Sequence, residues 1–314
     1  MSLSLLKSQK LNKGIALITA MMVMSLATIT AVQMTSEQQV YFRRTENILL
    51  HEQAYLYLLS AEDFAKVVLT EDFGNNQTDS FEDDWYSEDP VVFPIEGGVL
   101  TGIVSDLQGK FNVNNLAKTQ RDPWDEQRLR QTMLNNDIPG DIANTIMDWL
   151  DENSEALPGG AEDIDYLAGD RPYRASNGMM GSISELKLLK GVDQEIYESL
   201  EKVLVALPAT NVAININTAP PEVLRVIVEG LSDTEAEDLA KDLAENPLKD
   251  PDDLLSHALA KGNKIDVNGL SAESSYFLLE SMAIVSRARA KMHSIIYRQD
   301  AKNISVVMRS QGGL

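Results

Sequence analysis

One uncharged stretch near the N-terminus limits what this chain can be. Residues 15–36 contain no Asp, Glu, Lys, Arg or His, and the first acid after them is Glu37. At about 1.5 Å of rise per residue, a helix over this stretch is about 33 Å long, enough to cross a hydrocarbon core of about 30 Å. The sequence therefore predicts a membrane-spanning segment over residues 15–36.

The helical pattern continues beyond this segment. Apolar residues recur at mostly helical intervals from Val40 to Val68, and no Pro or Gly follows until Gly74. A secretory signal peptide would instead end its apolar run at a small-residue cleavage site, so the pattern favours a permanent anchor. We predict one helix of about 50 residues that leaves the bilayer and enters a soluble body.

The residues before the segment resemble a leader peptide. Residues 1–14 contain Lys7, Lys10 and Lys13 and no acid, so the positive-inside rule places them in the cytoplasm. A basic leader, a glycine and an apolar helix, in this order, resemble the signal of type IV pilins and pseudopilins, which prepilin peptidase cleaves directly after the glycine. The resemblance implies cleavage between Gly14 and Ile15 and methylation of the new N-terminus. An ordinary signal anchor is the alternative.

The fifth residue after Gly14 departs from most of that family. Most pilins have Glu there, and its carboxylate meets the N-terminal amine of a neighbouring protomer, whereas this chain has Thr19. A lone carboxylate in a bilayer is unfavourable, so a protomer without a neighbour above it has no use for one. A Thr hydroxyl can bond to a carbonyl of its own helix instead. In this respect the chain resembles the pseudopilin K family, the large minor pseudopilins of type II secretion systems.

The charge balance disfavours several partners. The chain has 314 residues, enough for two hydrophobic cores, and a formal net charge of −21. So strong an acidic excess repels phosphates, which argues against nucleic acid and anionic lipid as partners of the soluble part and favours divalent cations. The chain has no Cys, so neither disulfides nor thiolate metal sites can hold its loops.

The densest acidic segment lies in the middle of the chain. Residues 131–170 contain ten acids and no Lys, Arg or His. Apolar residues such as Trp149 and Leu150 nevertheless predict a folded segment, with a helix from about Asp141 to Asp151. Because the acids repel one another, we expect positive charge from outside the segment to hold it together.

The loop after this helix is a candidate calcium site. Asp151, Asn153, Glu155 and Glu162 have the spacing of oxygen ligands in an EF-hand, but Ala156 stands where that motif requires Gly, so a true EF-hand is rejected. Ca²⁺ accepts oxygens from irregular loops, whereas Zn²⁺ prefers His or Cys. The glycines of the loop at 152–161 allow it to fold back toward the helix.

The same region carries the most specific resemblance to pseudopilin K. It covers residues 148–166, then 172–177 and 184–186, and members of that family bind calcium here. The alternative is a solvated acidic loop paired in part with Arg171 and Arg174. The resemblance implies as ligands Asp151, Asn153, Glu162 and Asp163, with Asp148, Glu155 and Asp165 nearby.

Two further patterns have structural and functional interpretations. The asparagines at 112, 114 and 115 are predicted to bond backbone groups, with cation binding as the alternative. Residues from about Leu186 to Val203 show the order helix, Gly turn, helix. This order is typical of helix-hairpin-helix modules that bind DNA. Lysines are few there and lie among acids, so we predict a packing role. Thr218 is predicted to cap the next helix, which runs through Ile227.

These patterns predict an α+β protein with a pilin-like fold, a long N-terminal helix packed on an antiparallel sheet, and a large all-α insertion. The strand that begins near Val99 is expected to pair with C-terminal strands from Tyr276 onward. We predict a leader at 1–14, a transmembrane segment at 15–36, a pilin-like body at 37–116 and 272–314, and an inserted helical domain at 117–271.

Nothing in the sequence indicates an enzyme. The three histidines lie far apart in the sequence, no phosphate loop occurs, and the paired acids leave only a hydrolase as an alternative. The resemblance to pseudopilin K implies an inner-membrane protein with a single span, a cytoplasmic N-terminus and a periplasmic body. Such a pseudopilin caps the tip of the pseudopilus and helps to initiate its assembly for export of folded proteins across the outer membrane.

The resemblance also implies partners. They are the minor pseudopilins I and J, through them H and the major pseudopilin G, prepilin peptidase and the inner-membrane assembly platform, with no nucleic acid. One alternative is a minor pilin that acts as the tip adhesin of a type IV pilus. Another is a DNA-uptake pseudopilin, which the negative charge disfavours.

Overall fold

The computed structural model describes residues 3–118, 120–169 and 172–312, and only the backbone of residues 3–13. The side chains of the three leader lysines, and residues Asp170 and Arg171, lie outside this description. The helices are α1 (Leu3–Asn75), α2 (Pro123–Asn135), α3 (Asp141–Leu150), α4 (Asp163–Leu167), α5 (Gln194–Val203), α6 (Pro221–Ile227) and α7 (Asp233–Glu245). The strands are β1 (Val91–Ile95), β2 (Gly98–Asp106), β3 (Phe111–Asn112), β4 (Leu204–Val205), β5 (Ile214–Asn215), β6 (Val228–Glu229), β7 (Lys264–Ile265), β8 (Leu270–Ser271), β9 (Tyr276–Val285), β10 (Ala288–Arg298) and β11 (Ile304–Ser310).

Helix α1 is unbroken over 73 residues. From Gly14 onward it is long and apolar enough to cross a membrane, with a mean hydropathy of 2.2 over its most apolar window. The side chains of residues 14–49 are exposed. The hydroxyl of Thr19 donates to the carbonyl of Ala16 at 3.0 Å, which is the internal hydrogen bond expected at this position.

The second half of α1 is amphipathic. Ala54, Leu58, Ala61, Ala65 and Leu69 are all buried, and their intervals of three and four residues place them on one face of the helix. This face packs on the sheet, against apolar residues of β2, β9 and β10. The small alanines allow the helix to approach the strands closely.

The main sheet is antiparallel and has the strand order β1-β2-β9-β10-β11. Val104 of β2 is paired with Leu279 of β9, so the predicted pairing of the Val99 strand with the C-terminal strands is confirmed. Strand β1 was not expected, because Gly74 and the acids from Asp79 to Asp89 favour a loop over residues 74–94. It forms an edge of the sheet, where Pro94 is tolerated because one side of the strand needs no hydrogen bonds.

The region between β2 and β9 is an insertion with a hydrophobic core of its own. It is mainly helical and also contains three pairs of two-residue strands, β3·β4, β5·β8 and β6·β7. Phe111, Val113 and Leu116 belong to this core. The change from one core to the other therefore falls before Phe111, earlier in the chain than the predicted boundary between 116 and 117.

A half-buried carboxylate joins the insertion to the sheet. Oδ2 of Asp106, at the end of β2, accepts hydrogen bonds from the hydroxyls of Ser274 and Thr218, each at 2.6 Å. The amide of Asn215 donates to the same oxygen at 3.1 Å. Thr218 therefore does not cap α6, and that prediction was wrong. Burial raises the pKa of Asp106, and these donors oppose the shift.

Candidate metal centre

Helix α3 presents Asp148 to the loop that follows it. The side chain of Asp148 is fully buried. Both of its carboxylate oxygens lie 3.1 Å from the backbone N–H of Leu157, and Oδ2 also accepts from the N–H of Ala161 at 3.0 Å. The loop at 152–161 is thereby folded back onto the end of α3, as the sequence predicted.

Two glycines make this fold-back sterically possible. Gly159 has a φ of +77°, in the left-handed region that favours glycine. A Cβ on Gly160 would lie 1.9 Å from Oδ2 of Asp148, closer than any van der Waals contact. The Pro158–Gly159–Gly160 turn is therefore required by the position of the Asp148 carboxylate.

Asp151 marks the C-terminal end of α3 and is held by a cation from outside the acidic segment. Nη2 of Arg121 lies 2.7 Å from Oδ2 of Asp151 and also donates to the carbonyl of Met147 at 3.1 Å. Oδ1 of Asp151 accepts from the N–H of Asn153 at 3.2 Å. Part of the positive charge expected from outside thus comes from Arg121, which the sequence analysis did not single out.

Glu162 is the unusual member of the group. Its side chain is only 4% exposed. Neither of its carboxylate oxygens makes a hydrogen bond of full geometry in the described part of the chain, although the backbone N–H of Asp163 lies near enough to lower its pKa. Burial, followed by the charges of Asp148 and Asp151, raises the pKa of Glu162 to about 7. A buried carboxylate with such incomplete hydrogen bonding is unfavourable unless a proton or a cation accompanies it.

The other predicted ligands lie around these three acids. Oδ1 of Asp163 accepts from the N–H of Ala175 at 2.9 Å. Asp165 lies 2.7 Å from Nζ of Lys190, and this hydrogen bond, then the one from the N–H of Glu162, lowers the pKa of Asp165. Asp165 is thus already neutralised. Asn153 and Glu155 lie in the exposed part of the loop, where the Asn153 amide oxygen accepts from the N–H of Glu155 at 2.7 Å.

The described residues therefore fit a cation in part. Asp148, Asp151 and Glu162 are close enough to perturb one another electrostatically, and Ca²⁺ prefers carboxylate and amide oxygens of this kind. The amide oxygen of Asn177 is also buried without a partner in the described chain. Asn177 has a left-handed φ of +46° and lies two residues after Ala175, which bonds Asp163. Its role was not anticipated from the sequence.

Aromatic side chains support the acidic loop from the side of α3. The ring of Tyr166 lies edge-on to Trp149 at 5.3 Å and is stacked on Tyr173 at 5.3 Å. The indole N–H of Trp149 donates to Glu185 at 3.2 Å. These contacts explain why the most specific motif of the sequence extends as far as Glu185.

A second acidic cluster lies at the end of α1. Within the described ranges, only Asp72, Asp79 and Asp83 offer oxygens that all lie within 4.8 Å of one another. Here, however, the guanidinium of Arg298 contacts Asp72 at 3.2 Å and Asp79 at 2.5 Å. A side chain of the protein itself therefore occupies this cluster and offsets part of its negative charge.

The asparagine run has the predicted structural role. The amide of Asn114 donates to the carbonyls of Met180 at 2.9 Å and Leu207 at 2.8 Å, and its oxygen accepts from the N–H of Met180. In the helix-hairpin-helix-like unit, Lys187 lies over the ring of Tyr197 at 3.9 Å. Since Lys190 is paired with Asp165, both lysines are engaged within the protein.

Two family models match the insertion and its connections. Both are described as type II secretion system protein K, one over residues 109–209 and the other over residues 214–273. Type II secretion system protein K of Aeromonas hydrophila is 30% identical over 96% of this chain and 97% of the relative. The protein K of Pseudomonas aeruginosa is 29% identical over 96% of this chain and 94% of the relative.

A solved structure matches the fold. A chain of the crystal structure of the GspK-GspI-GspJ complex from the type 2 secretion system of enterotoxigenic Escherichia coli superposes with a TM-score of 0.75 and 29% identity. The match covers 86% of this chain and 100% of the other. The pilin-like fold with a helical insertion is thus confirmed.

The family predicted from the Gly14 junction and the acidic loop is the one that the comparisons give. These relatives are components of a secretion machine, and this chain shares their length and fold. Its long apolar helix α1 is consistent with a single membrane span. The chain belongs to the type II secretion system protein K family.

Proposed function

We propose that this chain is the minor pseudopilin at the tip of a type II secretion pseudopilus, where it helps to initiate assembly for export of folded proteins across the outer membrane. The observation that carries the proposal is the position of Thr19. Its hydroxyl is satisfied within α1 by Ala16, so this position needs no amine from a protomer above it. The role is structural and involves no catalytic step.

The size of the insertion supports a terminal position. The insertion extends from the end of β2 to the start of β9 and has its own core. A unit of this size would obstruct close packing of α1 with neighbours on every side, whereas at the end of a fibre it meets only solvent. By the same proposal, the chain assembles with minor pseudopilins I and J and, through them, with H and the major pseudopilin G.

The membrane arrangement follows from α1 and the leader. We infer that α1 crosses the inner membrane, with the basic leader in the cytoplasm and the body in the periplasm. Prepilin peptidase then cleaves between Gly14 and Ile15, and Ile15 becomes the methylated N-terminus. N-terminal sequencing of the protein purified from membranes tests this step. Ile15 or its methylated form as first residue is expected, and a chain that retains residues 1–14 would refute the proposal.

We also propose that the acidic loop binds Ca²⁺. Glu162 and Asp148 supply carboxylate oxygens, and Asp151 offers Oδ1 while its Oδ2 stays with Arg121. Asn153, Glu155 and Asp163 lie close enough in the chain to complete the site, while Asp165 stays with Lys190. The support is the buried carboxylate of Glu162 with its incomplete hydrogen bonding. A bound cation would supply the positive charge that fastens the loop at 152–161 to α3.

Thermal unfolding of the full chain in detergent tests this proposal. Millimolar Ca²⁺ is expected to raise the Tm relative to a chelator, because an ion that binds only the folded state stabilises it. Mg²⁺ serves as the control, since it demands a near-octahedral shell and retains its waters. An unchanged Tm at millimolar Ca²⁺ would remove the metal from the proposal and leave the secretion role intact.

A further inference from the structure

A cavity of about 340 Å³ lies between α1 and the edge of the main sheet. Its volume is within the range of small-molecule sites, about 300–1,000 Å³. Strands β1 and β2 form the side opposite the helix. Of the residues that line it, Phe64 and Val91 are exposed, whereas Leu100 and Leu279 belong to the core. The cavity therefore runs from the surface into the core of the pilin-like body.

Small residues leave this space open. Ser60, Ala61 and Ala65 line it on α1, and Gly102 lines it on β2. A Cβ on Gly102 would have one atom within 4 Å, Cδ1 of Leu279 at 3.6 Å, which is an ordinary contact. The cavity thus results from the size of its lining residues, and a larger side chain at position 102 can fill it.

Aromatic residues form much of the wall. Tyr57, Phe64, Trp85 and Phe93 all line the cavity, and we call it the aromatic cavity. The rings of Phe64 and Phe93 lie edge to face at 5.1 Å, and the ring of Trp85 lies edge to face with Phe277 at 5.3 Å. These contacts hold the rings in place. The face of an aromatic ring is negative and attracts cations, above all ammonium groups that carry alkyl substituents.

A carboxylate lies at the mouth of the aromatic cavity. Asp84 is exposed and is the only charged residue among the described residues of the lining. Within the part of the chain that the structure describes, it makes no ion pair or hydrogen bond. The net charge of the chain, −21, adds to its field. An apolar ligand with a positive charge therefore fits, whereas an anionic ligand is repelled.

The height of the cavity excludes bilayer headgroups as its ligand. Ala61 lies 25 residues after Ser36, the end of the proposed membrane span. Along a helix this separation is about 37 Å. The quaternary ammonium groups of lipid headgroups stay near the membrane surface and do not reach this point. A ligand must therefore come from the aqueous phase.

We propose that the aromatic cavity binds a small organic cation. Its ammonium group would lie between Asp84 and the aromatic rings, and its apolar body would extend toward Leu100 and Leu279. The volume admits about 10–12 non-hydrogen atoms at about 30 Å³ each. Such a ligand would contact both walls and so hold β1 against α1. This site goes beyond the proposed secretion role and does not depend on it.

Equilibrium dialysis with three probes of similar size tests the proposal. The probes are hexyltrimethylammonium, octanol and octanoate, which are positive, neutral and negative. The full chain is placed in phosphatidylcholine nanodiscs, because detergent would enter an apolar cavity, and empty nanodiscs give the lipid background. At about 50 mM salt, where charges are weakly screened, we expect saturable binding that is tightest for the cation and weakest for octanoate.

Three variants locate the bound cation. Asp84→Asn is expected to bind hexyltrimethylammonium roughly fivefold more weakly, the upper limit for a solvent-exposed ion pair. Asp89→Asn is the matched control, because it removes the same charge at an exposed position outside the lining, and it should keep the wild-type affinity. Gly102→Val should lose the saturable binding without a fall in Tm, since its methyl groups fill an existing space.

Hydrogen exchange of the wild type gives a second readout that needs no variant. Saturating hexyltrimethylammonium is expected to slow exchange of the backbone amides of β1. A wild-type chain that shows no saturable binding of the cation, or that binds octanoate as tightly, would overturn the proposal. Loss of binding when the chain is copurified with minor pseudopilins I and J would overturn it in favour of a partner side chain as the occupant. None of these results bears on the secretion role.

Discussion

Nη2 of Arg298 lies 2.5 Å from both carboxylate oxygens of Asp79, and both side chains are at most 2% exposed. The same guanidinium contacts Asp72 at the end of α1 and donates to the carbonyl of Ser274 at 2.8 Å. The ring of Phe277 lies 4.7 Å from it. Arg298 of β10 thus connects three parts of the chain. They are the end of α1, the segment that follows α1, and Ser274, where the chain returns from the insertion to the sheet.

Arg298→Met is expected to lower the free energy of unfolding by about 3–5 kcal/mol, because it leaves two buried carboxylates without their cation. Arg309→Met is the matched control. Arg309 also pairs with a buried acid, Glu62, at 2.7 Å, but its side chain is 48% exposed, so water can replace it and the loss should be smaller. Urea unfolding measures both. Equal losses would contradict the central role of Arg298.

The same cluster should make stability depend on pH. Burial raises the pKa of Asp79 to about 7 and that of Asp72 to about 6, against the attraction of Arg298. The folded state therefore binds more protons than the unfolded state between pH 4 and 7, so stability falls as pH rises through that range. Asp79→Asn should flatten the fall in urea midpoints measured with a chelator present. If the urea midpoint of the wild type does not fall more between pH 5 and pH 7 than the midpoint of Asp79→Asn, this prediction is wrong.

Glu162→Gln should separate the two states of the acidic loop. With a chelator at pH 8, the variant is expected to have a higher Tm than the wild type, because it removes a buried charge that Asp148 and Asp151 repel. This advantage should vanish near pH 5, where Glu162 is protonated. The Glu162→Gln variant should also lose the rise in Tm that Ca²⁺ causes in the wild type. Glu152→Gln, at an exposed position of the same loop, should retain it; loss of the rise in both variants would indicate a general charge effect.

Gly160→Ala should destabilise the insertion by about 1–3 kcal/mol, because the new methyl group would displace the Asp148 carboxylate from the N–H groups of Leu157 and Ala161. Gly140→Ala is the control, since a Cβ there would have no atom within 4 Å. Tm measurements with Ca²⁺ and with a chelator compare the two variants. A Gly160→Ala protein with the wild-type Tm would show that the turn has another conformation.

Features with a local cause could be predicted from the sequence. Helix α1 follows from hydropathy and spacing alone, and strand β9 and the C-terminal half of β10 follow from their apolar runs. Strand β1 was missed because it is short, contains Pro94 and comes after an acidic loop. Strand β1 forms because its backbone pairs with the edge of β2. The residues at 91–95 have no pattern of their own that predicts this pairing.

The candidate site was predictable as a region and not as a set of contacts. The acids, the Gly turn and the need for an external cation were all visible in the sequence. That Arg121 supplies the cation to Asp151, 30 residues away, depends on how α2 and α3 are placed by the core. In the same way, Thr218 had the correct residue type for a cap, but its hydroxyl donates to the Asp106 carboxylate instead.

The insertion is attached to the sheet through neighbouring strands. Asp106 faces Phe277 across β2 and β9, and the N–H of Leu107 donates to the carbonyl of Tyr276 at 3.0 Å. Both chain crossings therefore pass through one narrow neck. Leu207 of the insertion also packs against Tyr276 and Ile295 of the sheet. A torque applied to the insertion would therefore reach the sheet, and through it α1, by way of this neck and this apolar contact.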